Sequence, residues 1–195
     1  MRPSLFDSLA QKELILASGS PRRKQLLTDL GFDFRVDARS VEENYPSELQ
    51  GAEIAEYLAK LKASPFTPTE RQIIITSDTV VWHKGASLAK AADVAEARSM
   101  LSALSGEWHE VISGLCLTAS NKQWVGSQTT RVKFAPLSEE EINYYIEQCQ
   151  PFDKAGAYGI QEWIGLIGIE GIEGSYFNVV GLPVQLLYQQ LASFV

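Results

Sequence analysis

The run Gln72–Trp82, QIIITSDTVVW, constrains the fold more than any other stretch of the chain. It is rich in β-branched residues and reads as a strand. In its middle stands Ser77-Asp78-Thr79. A carboxylate inside such an apolar run is costly unless it is paired or metal-bound. Strand ends in α/β proteins are also common ligand positions. Asp78 is therefore a candidate for chemistry, against the plainer reading that it caps a turn where one strand breaks into the next.

Elements of both kinds surround this run. Glu13–Ala17 reads as a short buried strand, followed by the small-residue turn Ser18-Gly19-Ser20 and a helix opened by Pro21 and closed near Leu30 by Gly31. Phe32–Val36 reads as a second strand, and Asp37–Gln50 as a polar loop. Ala52–Ala63 has Ile54, Leu58 and Leu61 spaced for one helical face. His83-Lys84-Gly85 reads as a turn. Asp93 begins a helix that ends near Leu104. Trp108–Thr118 and Gln123–Phe134 form a hairpin, and Ser138 with Glu141 fits a capping box for the next helix. Asp153–Gly174 is unassigned, Tyr176–Val180 reads as a strand, and Pro183 starts a last helix through Ala192. Alternation followed by a hairpin predicts an α/β or α+β domain with a mixed sheet, spanning 1–195 as a single unit.

Composition narrows the function. Lys plus Arg is 17 and Asp plus Glu is 24, a net charge of −7. Such a chain lacks the basic field that general nucleic-acid binding requires, yet a local basic pocket can still hold a small anion. Cys116 and Cys149 are far apart and are expected to be buried thiols in a reducing compartment. With only His83 and His109, a His-rich metal site is excluded. Met1–Lys12 lacks a basic-then-apolar leader pattern, and no apolar run approaches the roughly 20 residues of a membrane span. The expectation is cytoplasmic.

Further candidates lie outside the central run. Ser18-Gly19-Ser20-Pro21-Arg22-Arg23 joins a strand to a helix, where free N–H groups, a positive dipole end and two guanidinium groups suit phosphate. The alternative is a helix cap followed by surface arginines. Glu42-Glu43 in the polar loop offers hard oxygen ligands for Mg²⁺ or Mn²⁺, or is solvated loop charge. Lys62 ends a helix, where a cation suits the dipole. Lys90 lies in a loop. Lys154 belongs to DKAGAYGIQ, Asp153–Gln161, where an aromatic and an amide beside small residues could recognise a base; a structural turn with a core Tyr competes. Ser113 and Ser120 stand near His109, but no nucleophile elbow is present.

Five segments in register, SGSPRR, SDT, LSGEWHEVISG (Leu104–Gly114), DKAGAYGIQ and GSYFNVVGLP (Gly174–Pro183), together resemble the Maf family of nucleoside triphosphate pyrophosphatases, from about Leu14 to Leu191. The resemblance implies an α/β body like that of the inosine triphosphatases: an elongated mixed sheet flanked by helices, with two lobes around a central cleft. It implies hydrolysis of a nucleoside triphosphate to the monophosphate and pyrophosphate, with a divalent metal cation (Mg²⁺, Mn²⁺ or Co²⁺), and a homodimer. By the same resemblance Asp78 matches the proton acceptor, and Glu43 matches a carboxylate handling metal or water, the two sharing the ion. Lys62, Lys90 and Lys154 match basic residues of the cleft. Ser18, Ser20 and Arg23 match the phosphate loop, while Arg22, Thr79 and Gln161 match positions tied to substrate choice. DKAGAYGIQ is similar to the branch acting on dTTP and UTP. Two other readings stand beside it: a nucleotide-binding regulator of septum formation, and a pyrophosphatase for modified nucleotides. One departure is Ala91, where the family usually has Pro; Ala frees the loop that carries Lys90.

Overall fold

The computed structural model describes residues Pro3 to Val195. Met1 and Arg2, part of the stretch read for a leader, lie outside the described residues. The central run becomes β3 (Gln72–His83), a strand buried along almost its whole length. On one edge it pairs antiparallel with β5 (Trp108–Thr118), which pairs with β6 (Gln123–Phe134), which pairs in turn with β7 (Ile169–Glu173). The other edge of β3 is shared. Its first residues pair in parallel with β1 (Glu13–Leu16), which also holds β2 (Phe34–Val36). Its last residues turn back through Lys84 and Gly85, both at positive φ, into the short β4 (Ala86–Leu88). The result is a seven-stranded mixed sheet in the order β2-β1-β3-β5-β6-β7, with β4 beside the far end of β3.

This sharing leaves a gap. β1 pairs as far as Leu16 with Ile75, and β4 begins at Leu88 with Val81. Among the described residues no strand lies on that edge between Ile75 and Val81. Asp78 and Thr79 fall in the gap. Because neighbouring strand residues point to opposite faces, the open edge exposes one face at Asp78 and the other at Thr79.

Helix α3 (Ala52–Ala63) covers the Asp78 face. Its small residues Ala55, Ala59 and Ala63 are buried against the sheet, and Thr76 donates to the Ala59 carbonyl at 2.7 Å. Ile54 and Leu58 pack with Val80 and Ile112. The approach is close because β5 has Gly114 directly opposite Asp78; a Cβ there would lie 2.1 Å from the Ala55 carbonyl oxygen. The larger core gathers residues of α2 (Pro21–Asp29), α4 (Val94–Leu104), α5 (Glu139–Cys149) and α8 (Val184–Leu191) around Leu115, Phe134 and Tyr145. The expected caps are present: Asp93 accepts the Glu96 N–H, and Ser138 and Glu141 form the reciprocal box.

Several expectations need correction. His83 belongs to β3 rather than to the turn. A short α1 (Ser4–Leu9) precedes β1, burying Leu5 and Leu9. The unassigned stretch holds α6 (Trp163–Gly168) and the edge strand β7. Tyr176–Val180, read as a strand, is the helix α7. Its apolar composition suggests β structure, but Ser175 caps it and the Asn178 amide ties it to the Val111 carbonyl and the Thr130 hydroxyl. Cys116 is buried as expected; Cys149 is only partly so. No helix among the described residues is long and apolar enough to cross a membrane.

Candidate active site

A cavity of about 430 Å³ opens at the gap in β3. Its lining comes from the turn into α2, the loop bearing Glu43 and Tyr45, α3, the 87–90 segment and residues between Asp153 and Gln161, together with Asp78 and Thr79.

On the Asp78 face, Lys62 reaches from the last turn of α3 and bonds the Asp78 carboxylate. The same ammonium lies 2.9 Å from Glu43 Oε1. Two carboxylates distant in sequence thus converge on one cation. Burial pushes the Glu43 carboxyl up, but the bonded Lys62, with Lys90 and Arg23 further off, holds it below its ordinary value. Glu43 and Asp78 are hard oxygen donors, while no group of three or more His, Cys, Asp or Glu gathers among the described residues. These two residues would hold a divalent ion, whose remaining ligands would have to be phosphate oxygens and water.

On the other face, Arg23 is half-buried and its guanidinium is largely engaged. Nε donates to the Gly181 carbonyl at 2.8 Å, Nη1 to Ser18 Oγ at 3.4 Å and Nη2 to Thr79 Oγ1 at 3.2 Å. Burial draws it below its ordinary value, with Asp78 opposing. Ser18 also accepts the Ser20 N–H, and Ser20 caps α2. Arg23 and Ser18 thus hold the turn together, leaving Arg22 as the freer guanidinium. Arg22 reaches across to Asp153 Oδ2 at 3.3 Å.

The Asp153–Gln161 segment is anchored by its own contacts. Lys154, 8% exposed, is held by Asp153 at 2.6 Å and Glu162 at 2.9 Å. Glu162 also accepts the Tyr145 hydroxyl proton, and Tyr145 accepts the Gly159 N–H. Tyr158, the aromatic of DKAGAYGIQ, is 2.7 Å from His109 Nε2 and packs edge-on against Phe134. It is the core tyrosine of the competing reading and also borders the cavity. Burial, with His83 adding, pulls His109 down to about 3, so it is neutral near pH 7. Its partner is Tyr158 rather than Ser113, which agrees with the absence of a nucleophilic triad. Lys90 and Gln161 both border the cavity. Ala91 does not free its loop: Lys90 forms a backbone bridge with Ala155, and the Ala91 side chain is buried in the core.

The structure thus brings Ser20, Arg22, Arg23, Glu43, Lys62, Asp78, Thr79, Lys90, Lys154 and Gln161 around one space, with Ser18 just behind. The carboxylates Asp153 and Glu162, and the buried Asn178, were not singled out from sequence. Asn178 had a signal: a polar residue within the apolar run YFNVV, much as Asp78 stands within β3.

Comparison with known proteins bears on the same residues. The profile of Maf-like proteins matches residues 13–194. A protein of Bacteroides fragilis named dTTP/UTP pyrophosphatase is 48% identical over 190 residues, covering 96% of this chain and 98% of its own. A protein of the same name from Christiangramia forsetii is 50% identical over 189 residues, covering 96% of each. Among solved structures, the Staphylococcus aureus Ham1 protein superposes with a TM-score of 0.51 at 17% identity, covering 93% of this chain and 99% of that one, a likeness of fold alone. Matched from β1 to its last turn, and near half identical to full-length relatives, this chain belongs to the Maf family.

Proposed function

We propose that the protein is a nucleoside triphosphate pyrophosphatase that hydrolyses dTTP and UTP to the monophosphate and pyrophosphate. The observation that carries this reading is the convergence of Asp78, Glu43 and Lys62 at the gap in β3, in a cavity otherwise ringed by Arg22, Lys90 and Lys154. The relatives named dTTP/UTP pyrophosphatase supply the substrate class.

The triphosphate lies across the gap with its phosphates toward the cations. Its oxygens compete with Glu43 and Asp78 for Lys62 and with Asp153 for Arg22. Exposed ion pairs of the Arg22–Asp153 kind are weak, commonly ~0–1 kcal/mol, so they exchange readily. Asp78, with Lys62 drawn to phosphate, accepts a proton from a water. That water's oxygen bonds to the α-phosphorus, the bridge from the α- to the β-phosphorus breaks, and pyrophosphate departs. Lys62, Lys90 and Lys154 balance the charge that develops on it. Glu43 and Asp78 would hold a divalent ion, whose chemistry is to neutralise phosphate charge and acidify bound water.

A panel of triphosphates with released pyrophosphate as readout tests the reading. UTP and dTTP are expected to be turned over in the presence of Mg²⁺, Mn²⁺ or Co²⁺ and to fall to background with a chelator. Equal rates on GTP and CTP would reject the substrate class. Binding without turnover under every metal would leave a nucleotide-binding protein instead. The homodimer of the family resemblance belongs to the same reading and is measured by sedimentation.

A further inference from the structure

Thr79 borders the cavity, and most of the hydrogen-bonding capacity of its hydroxyl is already taken. A hydroxyl has one proton to give and two lone pairs to offer. Arg23 Nη2, which can only donate, takes one lone pair at 3.2 Å. Ser113 Oγ lies on the other side at 2.9 Å, where either oxygen could be the donor. The next bond decides the direction. Ser113 Oγ is 3.0 Å from the Asn178 carbonyl oxygen, which can only accept. Were the Ser113 proton turned to Thr79, two oxygens would face each other without a proton in a fully buried position. Ser113 therefore donates to Asn178, and Thr79 donates to Ser113. The Gly181 carbonyl is a poorer acceptor for Thr79, at 3.4 Å, and already receives Arg23 Nε at 2.8 Å.

The end of this chain of bonds is itself fixed. The Asn178 side chain, 0% exposed, donates to the Val111 carbonyl at 2.9 Å and to Thr130 Oγ1 at 3.0 Å. Those two bonds anchor the residue, so its main-chain carbonyl, the acceptor from Ser113, keeps its place. Toward the cavity, the Thr79 hydroxyl has a single lone pair left.

We infer that Ser113 is a positioning residue for base choice: by taking the Thr79 proton it leaves Thr79 an acceptor only, which suits the N3–H of a uracil or thymine ring and opposes the bare N3 of cytosine. This rests on the pyrimidine triphosphate reading above and adds to it the residue that sets the polarity of Thr79. Ser113 itself is buried on β5 beside Thr79 and does not line the cavity.

The test compares kcat/KM for UTP and CTP in the wild type, Ser113→Ala and Ser113→Thr, with melting temperature followed alongside. Ser113→Ala leaves the Thr79 proton only the poor Gly181 acceptor, at 3.4 Å, so that it can turn toward the base. The wild-type preference for UTP over CTP is expected to fall by about tenfold or more, the order set by mispairing one buried polar group. Ser113→Thr keeps the hydroxyl and is expected to keep the preference, which a purely structural role of residue 113 does not require. An unchanged UTP-to-CTP ratio in a folded Ser113→Ala protein overturns the inference and leaves the pyrophosphatase reading standing. If Ser113→Ala does not fold, Thr79→Val carries the test: removing the acceptor should collapse the same ratio, and a retained ratio overturns the inference. A wild type that releases pyrophosphate from neither nucleotide overturns both.

Discussion

Replacing Asp78 by Asn is expected to lower pyrophosphate release from UTP at least a hundredfold while the protein melts within a few degrees of the wild type. The loss follows from removing the proposed proton acceptor in the gap, where a single positioned acid–base or charge-stabilising group is commonly worth about a hundredfold or more. The retained fold follows from the neighbours. An Asn has the shape of Asp and its amide oxygen still accepts from Lys62. That ammonium keeps Glu43 at 2.9 Å, so no charge is left buried without a partner. Circular dichroism with a thermal ramp, alongside turnover at saturating UTP, separates the two effects. Near-normal turnover in this variant would remove Asp78 from the chemistry. A large drop in melting temperature would show that it serves the fold instead.

The second large effect is on stability. Gly114→Ala should destabilise the protein by about 3 kcal/mol or more, the upper range for overfilled interiors. For a chain of this size that is a fall in melting temperature of about 6–12 °C. The added methyl would meet the Ala55 carbonyl oxygen at 2.1 Å and its carbon at 2.4 Å. Both are backbone atoms of α3, so no side-chain rotation relieves the clash. The helix would have to lift from the sheet, loosening Ile54 and Leu58 from Val80 and Ile112 and drawing Lys62 away from Asp78. Turnover should drop with stability. Gly19→Ala is the control for melting temperature, since its added methyl meets nothing nearer than 3.9 Å and its backbone is not in the left-handed region. Equal melting temperatures for the two variants would show that α3 adapts.

Much of this arrangement could be read before any coordinates. A carboxylate within QIIITSDTVVW is anomalous on composition alone, and the structure places it where strand pairing lapses. The turn at Ser18–Arg23 and the capping box at Ser138 follow from local chemistry, and both are found. What eluded the sequence depends on distant partners. YFNVV has the composition of a strand, and the helix it forms is capped by Ser175 and tied to β5 and β6 by the Asn178 amide. Arg23 lines the cavity, but its bond to the Gly181 carbonyl, 158 positions away, had no signal in the sequence. The pairing of Arg22 with Asp153 joins residues 131 positions apart, which no spacing rule connects. The lapse in the β3 edge is equally hidden, because it depends on where β1 stops and β4 starts.

That lapse has an evolutionary corollary. On the reading proposed above, the proton acceptor and the base-selecting hydroxyl hang from adjacent residues of one strand, yet on opposite sides of the sheet, with different supports: α3 against Asp78, and β5 with the end of α7 behind Thr79. Substitutions in the second support can retune which nucleotide is accepted while the first keeps its alignment, so descendants of one ancestor could diversify their diets without reinventing the cut.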